Sequence, residues 1–195
     1  MKTMYFFGNR PTKSPIDRRS FLKLGLACAA TLALPLPSFA KVSLPKARGK
    51  SLSFYNTHTG EELKKVVFWA DGNYLPDALT NINYLLRDFR TNEIIGIDPQ
   101  LCDQLFALRQ SLGTDRPFHI ISGYRSPKTN HMLRSRSKGV ATNSLHLVGR
   151  AVDIRIPGQR LADVRRVALS MQAGGVGYYP TSDFVHMDTG SVRRW

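Results

Sequence analysis

The sequence predicts an α+β domain, a small antiparallel sheet with flanking helices. Three observations predict it. At 195 residues, 42% of them hydrophobic, the chain holds one core and little else. Helix-forming stretches precede most of the strand-like ones, joined by short connections without an internal repeat. In the second half, short strands place apolar residues on one face and polar, chemistry-bearing residues on the other.

Taken in order, Ser51 to Asn56 and Leu63 to Trp69 read as strands around the turn Thr57-His58-Thr59-Gly60, which makes a hairpin. A helix follows from about Leu75 to Arg90, with Leu79, Ile82, Leu86 and Phe89 on its inward face. Asp98-Pro99 caps a second helix. Its stripe of Leu101, Leu105, Leu108 and Leu112 is stopped by Gly113. Phe118 to Ser122 is a buried strand, and the basic stretch Tyr124 to Asn143 a helix with a long loop. Ala151 to Ile156 is a strand. Leu161 to Gln172 is a helix with Leu161, Val164, Ala168 and Met171 inward, and Gly174 to Gly177 and Phe184 to Asp188 complete the sheet.

Before this domain the chain has another character. Asp17-Arg18-Arg19-Ser20-Phe21-Leu22-Lys23 precedes a short apolar run that ends in Pro35, Pro37 and Ser38-Phe39-Ala40. A basic segment, an apolar segment and a small-x-small site form an export leader over 1–40. The arginine pair resembles a twin-arginine signal, with Asp17 where Ser or Thr is usual; a Sec leader is the plainer alternative. The run from Leu24 to Leu36 is too short for a membrane span and is broken by Pro35. Residues 41–50, with Pro45, Gly49 and four basic residues, read as a flexible basic segment ahead of one domain over 51–195.

Charge and cysteine usage bound the function. The net charge of +14 falls to +9 without Lys2, Arg10, Lys13, Arg18, Arg19, Lys23 and Asp17. Outside the cytoplasmic membrane such a surface meets anionic wall polymer or lipid headgroups, not nucleic acid. Two cysteines, of which Cys28 lies in the leader, exclude a disulfide scaffold and a thiolate-rich metal site.

Chemistry concentrates in three places. Gly149 permits a tight bend that brings His146 back toward Asp153, which faces away from Val152, Ile154 and Ile156. His186 and Asp188 share the strand face opposite Val185 and Met187. Two imidazoles and a carboxylate with an open fourth position are what a catalytic zinc needs. Arg125, after the Ser122-Gly123 strand end, brings a fixed positive charge for a substrate carboxylate or a developing oxyanion. The order His, Asp, His does not fit the H-x-D…H order of non-haem iron oxygenases, since no His follows residue 186. His58, His119 and His131 read as structural, and Arg134 to Lys138 and Arg193-Arg194 as solvated faces.

Ser144-x-His146-x-x-Gly149-x-Ala151-x-Asp153 matches the S-x-H-x-x-G-x-A-x-D motif of the zinc D-Ala-D-Ala peptidase superfamily, the LAS metallopeptidases. Ser122-Gly123-Tyr124-Arg125-Ser126 resembles that group's S-G-Y-R segment. The run Ala173 to Pro180 with Phe184 to Gly190 is similar to the YcbK-type murein endopeptidases (MepK), which also carry a twin-arginine leader. The resemblance implies a monomeric periplasmic peptidase that cuts peptide cross-links of peptidoglycan through a water activated by one Zn2+ per chain. His146, Asp153 and His186 would be its ligands, Arg125 would stabilise the transition-state oxygen, and Ser144 and Tyr124 would meet the substrate. Asp183, three residues before His186, and Asp188 are both open as the general base. A non-catalytic wall-binding module and a D,D-carboxypeptidase are the alternatives, and the cross-link cut (DAP-DAP or D-Ala-DAP) is left open.

Overall fold

The computed structural model describes residues 49–137 and 139–195, so the predicted leader and nearly all of the basic segment lie outside the described residues. Eight strands form one sheet: β1 (Lys50–Asn56), β2 (Glu62–Ala70), β3 (Asn73–Tyr74), β4 (Phe118–Ser122), β5 (Ala151–Arg155), β6 (Gly175–Tyr179), β7 (Phe184–Asp188) and β8 (Arg193–Arg194). Among the described residues four α-helices accompany them, α1 (Pro76–Leu85), α2 (Pro99–Leu112), α3 (Pro127–Arg136) and α4 (Leu161–Ser170). The strand order is β3-β2-β1-β4-β5-β7-β6-β8.

The α+β class holds, but the sheet is larger than expected and mixed. β1 pairs with β4 in parallel, and β6 with β8, while the remaining pairs are antiparallel. The chain between β1 and β4 contains α1 and α2, and a connection of that length can return a strand in the same direction. β8 follows the antiparallel β6-β7 pair, so another reversal sets it parallel to β6 on that strand's free side.

One face of the sheet carries the core. Leu52, Phe54, Phe118, Ile120, Val152, Ile154, Val185 and Met187 are buried there with Leu101, Leu105 and Leu108 of α2 and Val164 and Ala168 of α4. At roughly 25 cal/mol per Å² of apolar surface, this burial is the main force holding the layers together. Helix ends follow the local chemistry. Asp98 accepts a hydrogen bond from the Gln100 N–H, Pro99 opens α2, and Gly113 closes it in the left-handed conformation at φ 61°. α1 stops at Leu85, short of the expected Arg90. The Leu86 carbonyl accepts from the Tyr124 N–H, and a Cβ on Gly123 would lie 2.4 Å from that oxygen, so a tertiary contact overrides helical continuation.

The opposite face bears the residues of interest. Here Asp153 on β5 stands directly across from His186 on β7, and His186 from Gly177 on β6. A 3₁₀ turn, Leu145–Val148, carries His146 and ends at Gly149 with φ 68°. A Cβ there would lie 2.4 Å from the Gly96 carbonyl oxygen, so both the backbone angle and the space demand glycine. Gly149→Ala is expected to lower stability by about 1–3 kcal/mol, read as a fall in the urea midpoint of the metal-free protein; an unchanged midpoint would refute this account of the bend.

Candidate metal centre

Each polar group of the cluster is fixed by its own local structure. Ser144 Oγ accepts from the His146 N–H at 3.4 Å, which starts the 3₁₀ turn and aims the imidazole inward. His146 O accepts from the Arg125 N–H at 3.1 Å, tying the turn to the segment after β4. Asp153 and His186 meet because their strands are paired in register. All three side chains are buried.

The hydrogen bonds fix the ring tautomers. His146 Nδ1 lies 2.6 Å from the Gly123 carbonyl oxygen, which can only accept, so Nδ1 carries the proton and Nε2 the lone pair. His186 Nε2 lies 3.0 Å from Asp188 Oδ2 and donates to it, which in the neutral ring leaves Nδ1 with the lone pair. Those two nitrogens are 3.2 Å apart, and Asp153 Oδ1 is 2.9 Å from His186 Nδ1 and 3.3 Å from His146 Nε2. Three acceptor atoms therefore converge in a buried space. Such a cluster is repulsive unless a cation or a proton occupies its centre. Four donors at zinc bond lengths of about 2.0–2.2 Å stand roughly 3.3–3.5 Å from one another, close to the spacings seen. The residues present fit a divalent ion with nitrogen and oxygen ligands.

Two guanidinium groups brace the cluster. Arg125 donates from Nη2 to Asp153 Oδ2 and from Nε to Ser122 Oγ at 2.8 Å. Arg193 donates from Nη2 to Asp188 Oδ2 at 2.6 Å. Burial opposes the charged form of Asp153, yet His146, His186 and Arg125 together hold its carboxyl well below the usual carboxylate range. Asp188 behaves alike. Burial is outweighed by His186 and by the backbone N–H groups of Gly190 and Gly175, bringing its carboxyl down to about 2. For His186, burial disfavours the cation, but hydrogen bonds to Asp153 and Asp188 prevail and raise its pKa. For His146 burial prevails and lowers it.

A cleft of about 430 Å³ opens above the cluster. Leu133, Val140 and Ala141 line one part of it, and Tyr179, Phe184 and Trp195 another, with Arg125 and Ser144 among its polar residues. The predicted residues are not all brought to it. Tyr124 is only 7% exposed and packs with the hydrophobic core, so its side chain is not in the cleft wall. Asp183 stands in the turn before β7 at φ 52°, its side chain 62% exposed and paired with Arg155 at 3.0 Å. Its neighbours Ser182 and Phe184 line the cleft. Asp188 lies behind His186 and is fully covered.

Two residues escaped the sequence reading. Arg193, read there as part of a solvated face, is exposed but is also the counter-ion of Asp188, and Trp195 sets its ring 5.2 Å from that of His186. The signal available was the i, i+2 spacing of a basic and an aromatic residue, which matches one strand face. Cys102 is buried in the core, which pushes its thiol up to about 12 and keeps it inert.

The carboxylates imply a pH dependence. A carboxyl lowered from the usual 3.8 to about 2 stabilises the fold fully above its ordinary value and loses that contribution as pH falls through about 2. Urea unfolding of the metal-free protein is expected to show stability declining below about pH 4, with a shallower decline in Asp188→Asn. Identical profiles for the two proteins would contradict the assignment.

Comparisons with known proteins bear on this site. A peptidase M15 family model described as "Peptidoglycan L,D-endopeptidase MepK" matches residues 45–195. A model of the twin-arginine translocation pathway signal sequence matches residues 15–35, in accord with the leader read there. The peptidoglycan L,D-endopeptidase MepK of Escherichia coli K12 is 48% identical over 183 residues, covering 94% of this chain and 99% of that protein. A probable peptidoglycan L,D-endopeptidase MepK of Haemophilus influenzae is 43% identical over 180 residues, covering 92% of this chain and 95% of its own length.

Proposed function

We propose, for a chain that belongs to the peptidoglycan L,D-endopeptidase MepK family, that it hydrolyses L,D peptide bonds in the cross-links of peptidoglycan, with zinc held by His146, Asp153 and His186. The enzyme is a hydrolase of the wall, exported by its twin-arginine leader, and the periplasm is where it meets its substrate. The observation that carries the metal reading is the convergence of three lone-pair atoms within 2.9–3.3 Å. Family membership and the ligand order favour zinc over other divalent ions.

Bound there, zinc would supply Lewis-acid chemistry that makes water nucleophilic near neutral pH. The protein's own groups do the rest. Arg125 uses two of its five N–H donors on Asp153 and Ser122, leaving others for the scissile carbonyl oxygen as it gains charge. Ser144 Oγ already accepts from the backbone, so its O–H is available to donate to a substrate carbonyl. Asp188, covered and bonded on both oxygens, serves to orient His186 and not to exchange protons with the cleft. That leaves Asp183 to take the proton from the attacking water and return it to the leaving amine. Its pair with Arg155 is exposed, and exposed pairs are worth only about 0–1 kcal/mol, so turning toward the cleft is inexpensive.

The protein works as a monomer on the wall surface, drawn there by its basic charge and not bound to nucleic acid. No helix among the described residues is long and apolar enough to cross a membrane.

Digestion of purified sacculi tests the activity. Cross-linked dimers are expected to become monomers, and a chelator to stop the conversion. Release of free D-alanine without loss of dimers would mark a carboxypeptidase, and unchanged dimers with zinc bound a wall-binding module. His146→Ala is expected to lose both zinc and turnover. Asp183→Ala is expected to keep zinc while turnover falls about 10²–10⁴-fold. Near-parental turnover in the Asp183 variant would remove that residue from the mechanism.

A further inference from the structure

β8 contains two residues, yet the segment around it makes several contacts that end on one candidate ligand. The Arg193 fork reaches both oxygens of Asp188, Nη2 to Oδ2 at 2.6 Å and Nη1 to Oδ1 at 3.3 Å. Asp188 Oδ2 in turn accepts from His186 Nε2 at 3.0 Å. Trp195 covers the same imidazole at 5.2 Å between ring centroids, and the Arg193 guanidinium lies 5.2 Å from the indole ring. The indole is itself anchored. Its Nε1 donates to Tyr179 Oη at 2.7 Å, the Trp195 N–H donates to the Val176 carbonyl at 3.3 Å, and the Trp195 carbonyl accepts from the Tyr178 N–H at 3.1 Å. β6 makes room for it: a Cβ on Gly177 would come within 2.7 Å of the indole ring.

We propose that Arg193 and Trp195 are positioning residues for the metal centre, with Arg193 acting through Asp188 and Trp195 packing directly on His186. The inference rests on the metal reading above. A planar guanidinium that engages both carboxylate oxygens fixes the carboxylate plane, which a point charge does not. A fixed Asp188 holds the His186 Nε2 proton in one direction, so Nδ1 stays aimed at Asp153 and His146. The indole closes the side toward which the ring would otherwise tilt. Arg194, the neighbour on the same short strand, has an exposed side chain and serves as the control.

Zinc affinity of the metal-stripped full chain, measured by competition with a chromophoric chelator, tests this. The parent is expected to bind one zinc, and Arg193→Ala to bind it about 10–100-fold more weakly. Asp188→Asn should lose a similar factor, and the double variant no more than Asp188→Asn alone, because the two residues act in series. Trp195→Ala should weaken binding several-fold and Trp195→Phe restore most of it. Arg194→Ala should match the parent. Melting of the metal-free proteins separates positioning from folding, and Arg193→Gln carries the same expectation if the alanine variant does not fold. Parental affinity in the Arg193 variants, or losses that multiply in the double variant, would overturn the inference while leaving the metal reading intact. A parent that binds no zinc would overturn both.

Discussion

The centre of this molecule is an electrostatic problem. His146 Nε2, His186 Nδ1 and Asp153 Oδ1 present lone pairs to one another at 2.9–3.3 Å in a buried space. Each ring's other nitrogen is already committed, one to the Gly123 carbonyl and one to Asp188. The tautomers therefore cannot relieve the repulsion by exchanging roles among themselves. Unpaired acceptors in low dielectric are unfavourable, and a divalent cation resolves all three at once.

Much of the surrounding structure serves that arrangement. The β5–β7 register sets Asp153 opposite His186, and the left-handed Gly149 lets the 3₁₀ turn deliver His146 from outside the sheet. The core on the opposite face holds these strands together, which keeps ligand atoms from distant parts of the chain 2.9–3.3 Å apart. Arg125 and Arg193 then flank the cluster from two sides, each on a carboxylate. The cluster's negative side chains are thus compensated without occupying the lone pairs that face inward.

What the sequence disclosed follows from periodicity and motif spacing. Asp98-Pro99 and Gly113 delimit α2 through local capping chemistry, which needs no tertiary information. The alternation of Val152, Ile154 and Ile156 with Asp153 assigned faces to β5, and the ten-position pattern from Ser144 to Asp153, with the separate strand that carries His186, picked out the three residues that the structure brings together. Other features depend on distant partners. α1 ends early because Gly123 and Tyr124 press on Leu86. Tyr124 turns into the core although its neighbour Arg125 faces the cleft, a choice set by packing. β8 is too short to display a period, so Arg193 read as a solvated face and Trp195 was given no role. The parallel pairings arise from connection length and chain reversal, and no local pattern encodes them.

X-ray absorption at the zinc edge of the exported protein measures the central claim most directly. The account predicts one zinc per chain, four light-atom neighbours at about 2.0–2.2 Å with imidazole scattering from two histidines, and no sulfur. Absence of stoichiometric zinc, a sulfur neighbour near 2.3 Å, or a shell without imidazole scattering would contradict it.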